Sequence, residues 1–383
     1  MSMRCLRVLE ASGQNAPMDI LIESERRQSQ LDFVASGQDV EVGDPRACPL
    51  PLEELRTLDV HHPAVRSVFD GGLTAVVFKV HASGRDWAVK RARTPCLVQG
   101  VDGQTSFLNE LQRRAELAAL KARPGGAARF AGVVDTVYGS LRHGIIVSPW
   151  IDGELLRTWD ERRLRQVFDT GRELVRAGFF EWDFCPGNLM DDGHQVWLFD
   201  FGYMYRFDPL RQFNSAGDGS AAPQCHLAER IESRHAFGAW LDLTEAEALE
   251  AFRQEKTIAL AAYHRLREEL AVDGATTTVL GWLDGITATW QAGLGGDLRA
   301  LWLCEGWRSH VLDLEDDLHG QTCTPNTLRR ADWLLATLRD HHGLLAARGA
   351  LMGDDAGQPA DVLLPRYAAM RREAEGYQVR RAA

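Results

Sequence analysis

Long hydrophobic runs are missing from this chain of 383 residues: no apolar stretch approaches the ~18 residues that cross a bilayer, so no membrane-spanning helix is expected. Residues 1–19 lack the apolar core of a secretory signal, which argues against Sec export and leaves signal-independent export open. Paired cysteines are missing too. The seven, at positions 5, 48, 96, 185, 225, 304 and 323, are dispersed with no C-x-x-C and no zinc-ligand spacing, a set that reads as reduced thiols in a cytoplasmic setting. Positive charge is in deficit: 43 Lys and Arg face 54 Asp and Glu, a net −11 that speaks against a nonspecific nucleic-acid binder. No internal repeat is present. What remains is an ordinary globular composition, 45% hydrophobic and 25% charged, with length enough for two domains and a sizeable core.

The chain is organised around residues 179–202. Leu189-Met190 and Val196 to Phe199 are short apolar runs on either side of Asp191-Asp192-Gly193-His194. Asp-Gly between apolar runs predicts a tight hairpin, because glycine supplies the positive φ of the turn. Such a hairpin carries Asp183 and Asn188 toward Asp200. Two carboxylates and an amide oxygen make a hard-oxygen site suited to Mg²⁺.

In Asp183-Phe184-Cys185-Pro186-Gly187-Asn188, followed by Asp200-Phe201-Gly202, the chain resembles the protein-kinase-like superfamily. The pattern is D-x-x-x-x-N and then D-F-G. Its Pro-Gly-Asn form is nearer to aminoglycoside, choline and lipopolysaccharide-type phosphotransferases than to eukaryotic protein kinases. The resemblance implies that Asp183 orients and deprotonates an acceptor hydroxyl, while Asn188 and Asp200 hold Mg²⁺ for ATP. Glu181-Trp182 stands where that family has His-Arg or His-Gly.

Upstream, residues 65–69, 74–80 and 87–90 read as strands, rich in β-branched and aromatic residues and separated by Asp70-Gly71-Gly72 and by residues 81–84. Strand, glycine turn, strand, turn, and a strand ending in Ala88-Val89-Lys90 resembles the opening of a kinase N-lobe. There Gly71 and Gly72 would let backbone N–H groups approach phosphates, although the fuller G-x-G-x-x-G is absent. Lys90 would hold the α/β-phosphates. Residues 105–121 carry Leu108, Leu111, Ala115 and Ala118 near helical spacing. On that helix Glu110 is preferred over Glu116 as the acid that pairs Lys90. Residues 130–137 and 143–147 read as two further strands. Residues 147–153 resemble the hinge, where adenine would donate to the Pro149 carbonyl and accept from the Ile151 N–H, proline lacking an N–H of its own. Trp150 reads equally as a flat neighbour of the base and as a core residue.

Thr158-x-x-Glu161 and Thr244-x-x-Glu247 read as capping boxes. The first opens a helix with Leu164, Val167, Phe168, Gly171, Leu174 and Val175 along one face. Residues 214–223, rich in Gly, Ser and Ala, predict a loop, and no A-P-E signature follows Gly202. Helices are expected over 244–270, 275–292, 298–314, 326–348 and 364–378. Trp282, Trp290, Trp302 and Trp307 read as core or groove aromatics. Asp313, Glu315, Asp316 and Asp317 read as a solvated acidic face, and Cys225-His226 as structural.

The expectation is a bilobal α+β kinase-like fold: an N-terminal extension (1–51), an N-lobe with a five-stranded antiparallel sheet and one helix (52–147), and a helical C-lobe (148–383) with the hairpin at 183–202. The implied activity is transfer of the ATP γ-phosphoryl group to a hydroxyl on a small molecule or glycan, with Mg²⁺ and ATP as cofactors and no nucleic-acid partner. The alternatives are a protein kinase, including a secreted bacterial effector, and a nucleotide-binding pseudokinase that acts as an interaction module. Nucleotidyl transfer stays open as well.

Overall fold

The computed structural model describes residues 18–98, 100–217 and 225–378. Most of the N-terminal segment that lacks the apolar core of a secretory signal, up to residue 17, and residues 218–223 of the expected loop lie outside the described residues.

In chain order the main elements are α1 (Met18–Ala35), β1 (Glu41–Gly43), β2 (Val65–Phe69), β3 (Ala75–Ala82), β4 (Arg85–Ala92), α2 (Ser106–Lys121), β5 (Tyr138–Ser140), β6 (Ile145–Pro149), β7 (Glu154–Leu155), α3 (Glu161–Arg176), β8 (Leu189–Asp191), β9 (Val196–Leu198), α4 (Leu227–Ile231), α5 (Phe237–Trp240), α6 (Glu245–Val272), α7 (Thr277–Gly295), α8 (Leu298–Gly320), α9 (Pro325–Ala347) and α10 (Ala360–Gly376). The fold is α+β and divides into two compact units. Of the described residues, one unit holds those of Ser24–Leu156 with Gly187–Tyr205; the other holds 18–23, Arg157–Pro186, 206–217 and 225–378.

The first unit is built on an antiparallel sheet of six strands in the order β1-β5-β6-β4-β3-β2, which corrects the expected five. The added strand comes from the N-terminal stretch. Glu41, Val42 and Gly43 pair with Ser140, Gly139 and Tyr138, covering an edge of β5 that would otherwise present unpaired N–H and C=O groups. Three residues with one buried side chain are too few for a period-two signal. Gly43 has φ +80°, and a Cβ there would lie 2.0 Å from the Val137 carbonyl oxygen, so only glycine lets the chains approach.

Residues 130–137 do not form the expected strand. Their backbone is engaged elsewhere: Val134 N–H donates to the Leu198 carbonyl at 3.0 Å, and Leu198 N–H to the Gly132 carbonyl at 2.8 Å. The two faces of the sheet are packed differently. Phe78, Val80, Trp87, Val89, Ile145 and Val147 bury against Leu55 and Leu58 on one side. On the other, Val42 and Ile146 meet Phe107 and Leu111 of α2. A smaller sheet runs β9-β8-β7. The β8–β9 turn is closed by Asp192 Oδ1, which accepts from the N–H of His194 (2.8 Å) and Gln195 (2.7 Å), with Gly193 at φ +91°.

The second unit is helical. Thr244 and Glu247 form the expected reciprocal cap of α6. At α3 the cap is Asp160, whose side chain accepts from Arg163 N–H, so the Thr158 box is not formed and the helix starts at Glu161. Trp307, Val311, Leu314, Leu334, Leu338, Leu363 and Tyr367 form a core among α8, α9 and α10. The acidic run on α8 is not a solvated face: Asp313 is 8% and Glu315 7% exposed. Among the described residues no helix is long and apolar enough to cross a membrane.

Candidate functional site

Strand periodicity decides where Lys90 points. Trp87 and Val89 of β4 bury on one face, so Lys90 emerges on the other, beside its register partner Ile146 and toward α2. There Lys90 Nζ lies 2.6 Å from Glu110 Oε2 and 2.6 Å from Asp200 Oδ2. Burial alone would pull the Lys90 ammonium down; the Asp200 and Glu110 carboxylates outweigh it and hold the group above the usual lysine range. Burial likewise pushes the Asp200 carboxyl up, and Lys90 together with the Gly202 N–H, 3.1 Å from Oδ1, more than reverses this. Glu116 is the acid not recruited: it pairs with Arg113 at 2.9 Å and its side chain is 41% exposed.

Arg114 was not singled out from the sequence, although its place four residues after Glu110 puts both on one helix face. Its Nε donates to Glu110 Oε1 at 2.9 Å, Nη1 to Thr136 Oγ1 at 2.9 Å and to Ser148 Oγ at 3.2 Å, and Nη2 to the Phe199 carbonyl at 2.7 Å. The guanidinium also lies over the Phe201 ring, 4.7 Å from its centroid. One side chain thus ties Glu110 to the residues on either side of Asp200.

Asn188 joins this set through the hairpin: Phe199 N–H donates to the Asn188 carbonyl at 3.2 Å, which places Asn188 beside the strand end that leads into Asp200. Among the described residues no three His, Cys, Asp or Glu side chains gather as a metal cluster. With phosphate oxygens supplying further ligands, the Asp200 carboxylate and the Asn188 amide are the residues that would hold a Mg²⁺ carried in with a nucleotide.

Gly71 and Gly72 lie in the β2–β3 turn. Arg93 fastens it, its Nε donating to the Gly72 carbonyl and its Nη2 to the Asp70 carbonyl, both at 2.7 Å. Pro149 closes β6 opposite Trp87. Trp150, between Pro149 and Ile151, stacks on Phe69 at 5.7 Å with the Lys79 ammonium 4.6 Å from its ring centre.

In the helical unit Asp183 is engaged by a residue the sequence reading missed. Arg234 Nε donates to Asp183 Oδ1 at 3.1 Å and Nη1 to Asp313 Oδ1 at 2.6 Å; Arg330 pairs with the second Asp313 oxygen at 2.8 Å. Burial would lower the Arg234 guanidinium, but Asp313 and then Asp183 hold it well above its ordinary range. The Asp183 N–H donates to Glu181 Oε1 at 2.8 Å, and Trp182 is buried with its indole N–H on Ser215 Oγ at 2.7 Å. These contacts give Glu181 and Trp182 local work in holding the Asp183 loop. His226 caps α4 and sits 2.6 Å from the Tyr263 hydroxyl, a buried packing role.

No family model and no curated protein matches the chain. Among solved structures it is similar to the bifunctional kinase-methyltransferase WbdD, with 16% identity over 58% of this chain and 51% of that one and a TM-score of 0.32. The chain therefore spans about half the length of that protein.

Proposed function

We propose that this chain is an ATP-dependent phosphotransferase that moves the γ-phosphoryl group to a hydroxyl acceptor. The observation that carries the reading is the Lys90 ammonium 2.6 Å from both Glu110 and Asp200. A buried ion-pair network is weak evidence of added stability, since desolvation offsets much of its attraction. Here the network also has an open side: the Asp200 side chain is 29% exposed and that of Lys90 13%, whereas Glu110 is 1%. An ammonium and a carboxylate presented together, with a second acid bracing the ammonium, suit a polyphosphate with its divalent cation.

In this reading Lys90, braced by Glu110 and Arg114, holds the α/β-phosphates. Asp200 and Asn188 hold Mg²⁺, which supplies neutralisation of phosphate charge. Gly71 and Gly72 lend backbone N–H groups to the phosphates, and Pro149 and Ile151 take the adenine edge. Asp183 orients the acceptor hydroxyl and accepts its proton, with Arg234 fixing the carboxylate. Transfer of this kind is mainly positioning and charge neutralisation.

A small molecule or glycan is the preferred acceptor, on the Pro186-Gly187-Asn188 form and the missing A-P-E signature. Asp313 adds no preference for cations, because Arg234 and Arg330 already neutralise it. One observation favours a second, non-catalytic nucleotide-binding reading: the Asp183 carboxylate is held by a guanidinium.

The test is incubation with γ-labelled ATP, Mg²⁺ and a cell lysate separated into small-molecule, glycan and protein fractions. Label in the first two supports the proposal. Label in a discrete protein band makes the chain a protein kinase. Stabilisation by Mg·ATP without any transfer makes it a nucleotide-binding module.

A further inference from the structure

Residues 24–35 of α1 belong to the same compact unit as α2 and the Asp200 segment, and a buried chain of amides joins the three. Asn109, next to Glu110 on α2, has Nδ2 at 3.2, 3.0 and 2.8 Å from the carbonyl oxygens of Phe201, Gly202 and Met204. Carbonyls only accept, so the nitrogen end of this amide must face them and Oδ1 must face away. On that far side Gln30 Nε2 donates to Asn109 Oδ1 at 3.4 Å. Gln30 is fixed in turn: its Oε1 accepts from Arg26 Nη1 and from Thr105 Oγ1, each at 3.1 Å. Asn109 is 1% and Gln30 7% exposed.

The same stretch of α1 holds on at two further points. Arg26 and Arg27 both pair with Asp102, just before α2, at 2.9 Å. The Arg26 guanidinium lies 3.8 Å from the centre of the Tyr205 ring. Asp200 is thus followed by a backbone whose carbonyls are gathered by one side chain, and that side chain is set by the N-terminal helix.

We propose that Gln30 and Asn109 are positioning residues for Asp200: the docked N-terminal helix orients the Asn109 amide, and the amide holds the Phe201–Met204 backbone so that the Asp200 carboxylate stays opposite Lys90. Undocking of α1 withdraws the Asn109 partner, and the segment after Asp200 loosens. The helix is therefore a control on metal and nucleotide binding built into the chain. The consequence for catalysis rests on the phosphotransferase reading; the mechanical coupling does not.

A purely structural role predicts something different. Losing a buried hydrogen-bond partner lowers stability throughout the unit. The experiment therefore compares regions within one protein. In the full chain, Gln30→Glu keeps an acceptor for Arg26 and Thr105 and exchanges the donor to Asn109 for a charged oxygen, while Gln30→Ala removes the donor without adding a charge; Asn109→Ala removes the carbonyl contacts directly. Backbone hydrogen exchange without nucleotide is measured first. Residues 201–205 are expected to exchange about tenfold faster, the loss of one hydrogen bond's worth of local protection, with β3 and β4 unchanged. The Mg²⁺ concentration for half-maximal Mg·ATP binding is expected to rise severalfold, with metal-free ATP binding unchanged.

Unchanged exchange at 201–205, or faster exchange spread evenly over the unit, overturns the proposal. A wild-type protein that binds no nucleotide overturns the phosphotransferase reading alone, and the exchange measurement still decides the coupling.

Discussion

Arg234 Nε lies 3.1 Å from Asp183 Oδ1 while another nitrogen of the same guanidinium lies 2.6 Å from Asp313. Arg234 stands on a π-helical turn, Glu232–Ala236, inserted between α4 and α5. Such turns are rare and recur at functional sites, because the extra residue re-aims side chains that an α-turn would direct elsewhere. Arg234→Lys retains a positive charge and loses the fork that fixes the carboxylate plane. The expected result is a fall in kcat of about tenfold, the worth of one charge-assisted hydrogen bond, with KM for ATP unchanged. Steady-state kinetics with both substrates varied checks it. An equal loss in nucleotide binding would contradict the assignment of Arg234 to the acceptor side.

Lys90→Met removes the cation between Glu110 and Asp200. The protein is expected to fold, with stability lowered by about 1–3 kcal/mol because two carboxylates lose their common partner. Mg·ATP should then give no thermal stabilisation at concentrations that shift the wild type. Glu110 keeps Arg114 as a partner, so the double variant Lys90→Met/Glu110→Gln should recover little of the stability and none of the nucleotide shift. Recovery of both would mean that Lys90 serves the fold alone.

Asp200→Asn and Asp183→Asn should separate two roles. Asp200 loses a charged oxygen in the Lys90 network, so the Mg²⁺ requirement should rise and nucleotide affinity fall. Asp183→Asn should leave nucleotide binding intact while turnover falls by ~10²-fold or more, as for a general-base position. Calorimetric titration of Mg·ATP into both variants, alongside their kcat values, distinguishes the two.

Local chemistry made much of this legible in advance. The β8–β9 hairpin follows from Asp192-Gly193 between apolar runs, and the Thr244–Glu247 cap from its spacing. The strands β2, β3 and β4 announced themselves through β-branched and aromatic residues, and period two in β4 then determines the face on which Lys90 emerges. What stayed hidden is non-local. The pairing of β1 with β5 joins residues about a hundred positions apart through a strand of three, too short to show periodicity. Residues 130–137 have strand-like composition, yet their backbone groups are taken by Leu198. Arg234 and Asn109 gave no signal because their partners, Asp183 and the carbonyls after Asp200, lie far off in sequence, and carbonyl groups leave no mark on composition. Asp313 looked solvated because the arginines that neutralise it, Arg234 and Arg330, sit on other elements.

Those arginines do not neutralise every acid, and Asp317 supplies a pH test. Burial, and then the neighbouring Asp313 carboxylate, push its carboxyl up to about 7, and the Thr327 hydroxyl donates to it. An unfolded chain releases this proton near the ordinary value of 3.8. Below about pH 4 both states hold the proton, and its contribution to stability is fully present. Between about 4 and 7 the folded protein keeps a proton that the unfolded chain has lost, so raising the pH lowers stability, by at most about 1.4 kcal/mol per unit. Above 7 both states are ionised and the slope vanishes. Asp317→Asn keeps an acceptor for Thr327 and does not titrate. Relative to wild type, the variant should therefore gain about 2.5 kcal/mol between pH 5 and pH 7.5. Urea denaturation of both proteins at pH 5, 6 and 7.5 measures the gain, and Glu255, which burial also raises to about 7, is common to both and cancels. A difference constant across this range would mean that Asp317 is already ionised in the folded protein at pH 5, with Arg234 and Arg330 offsetting its burial.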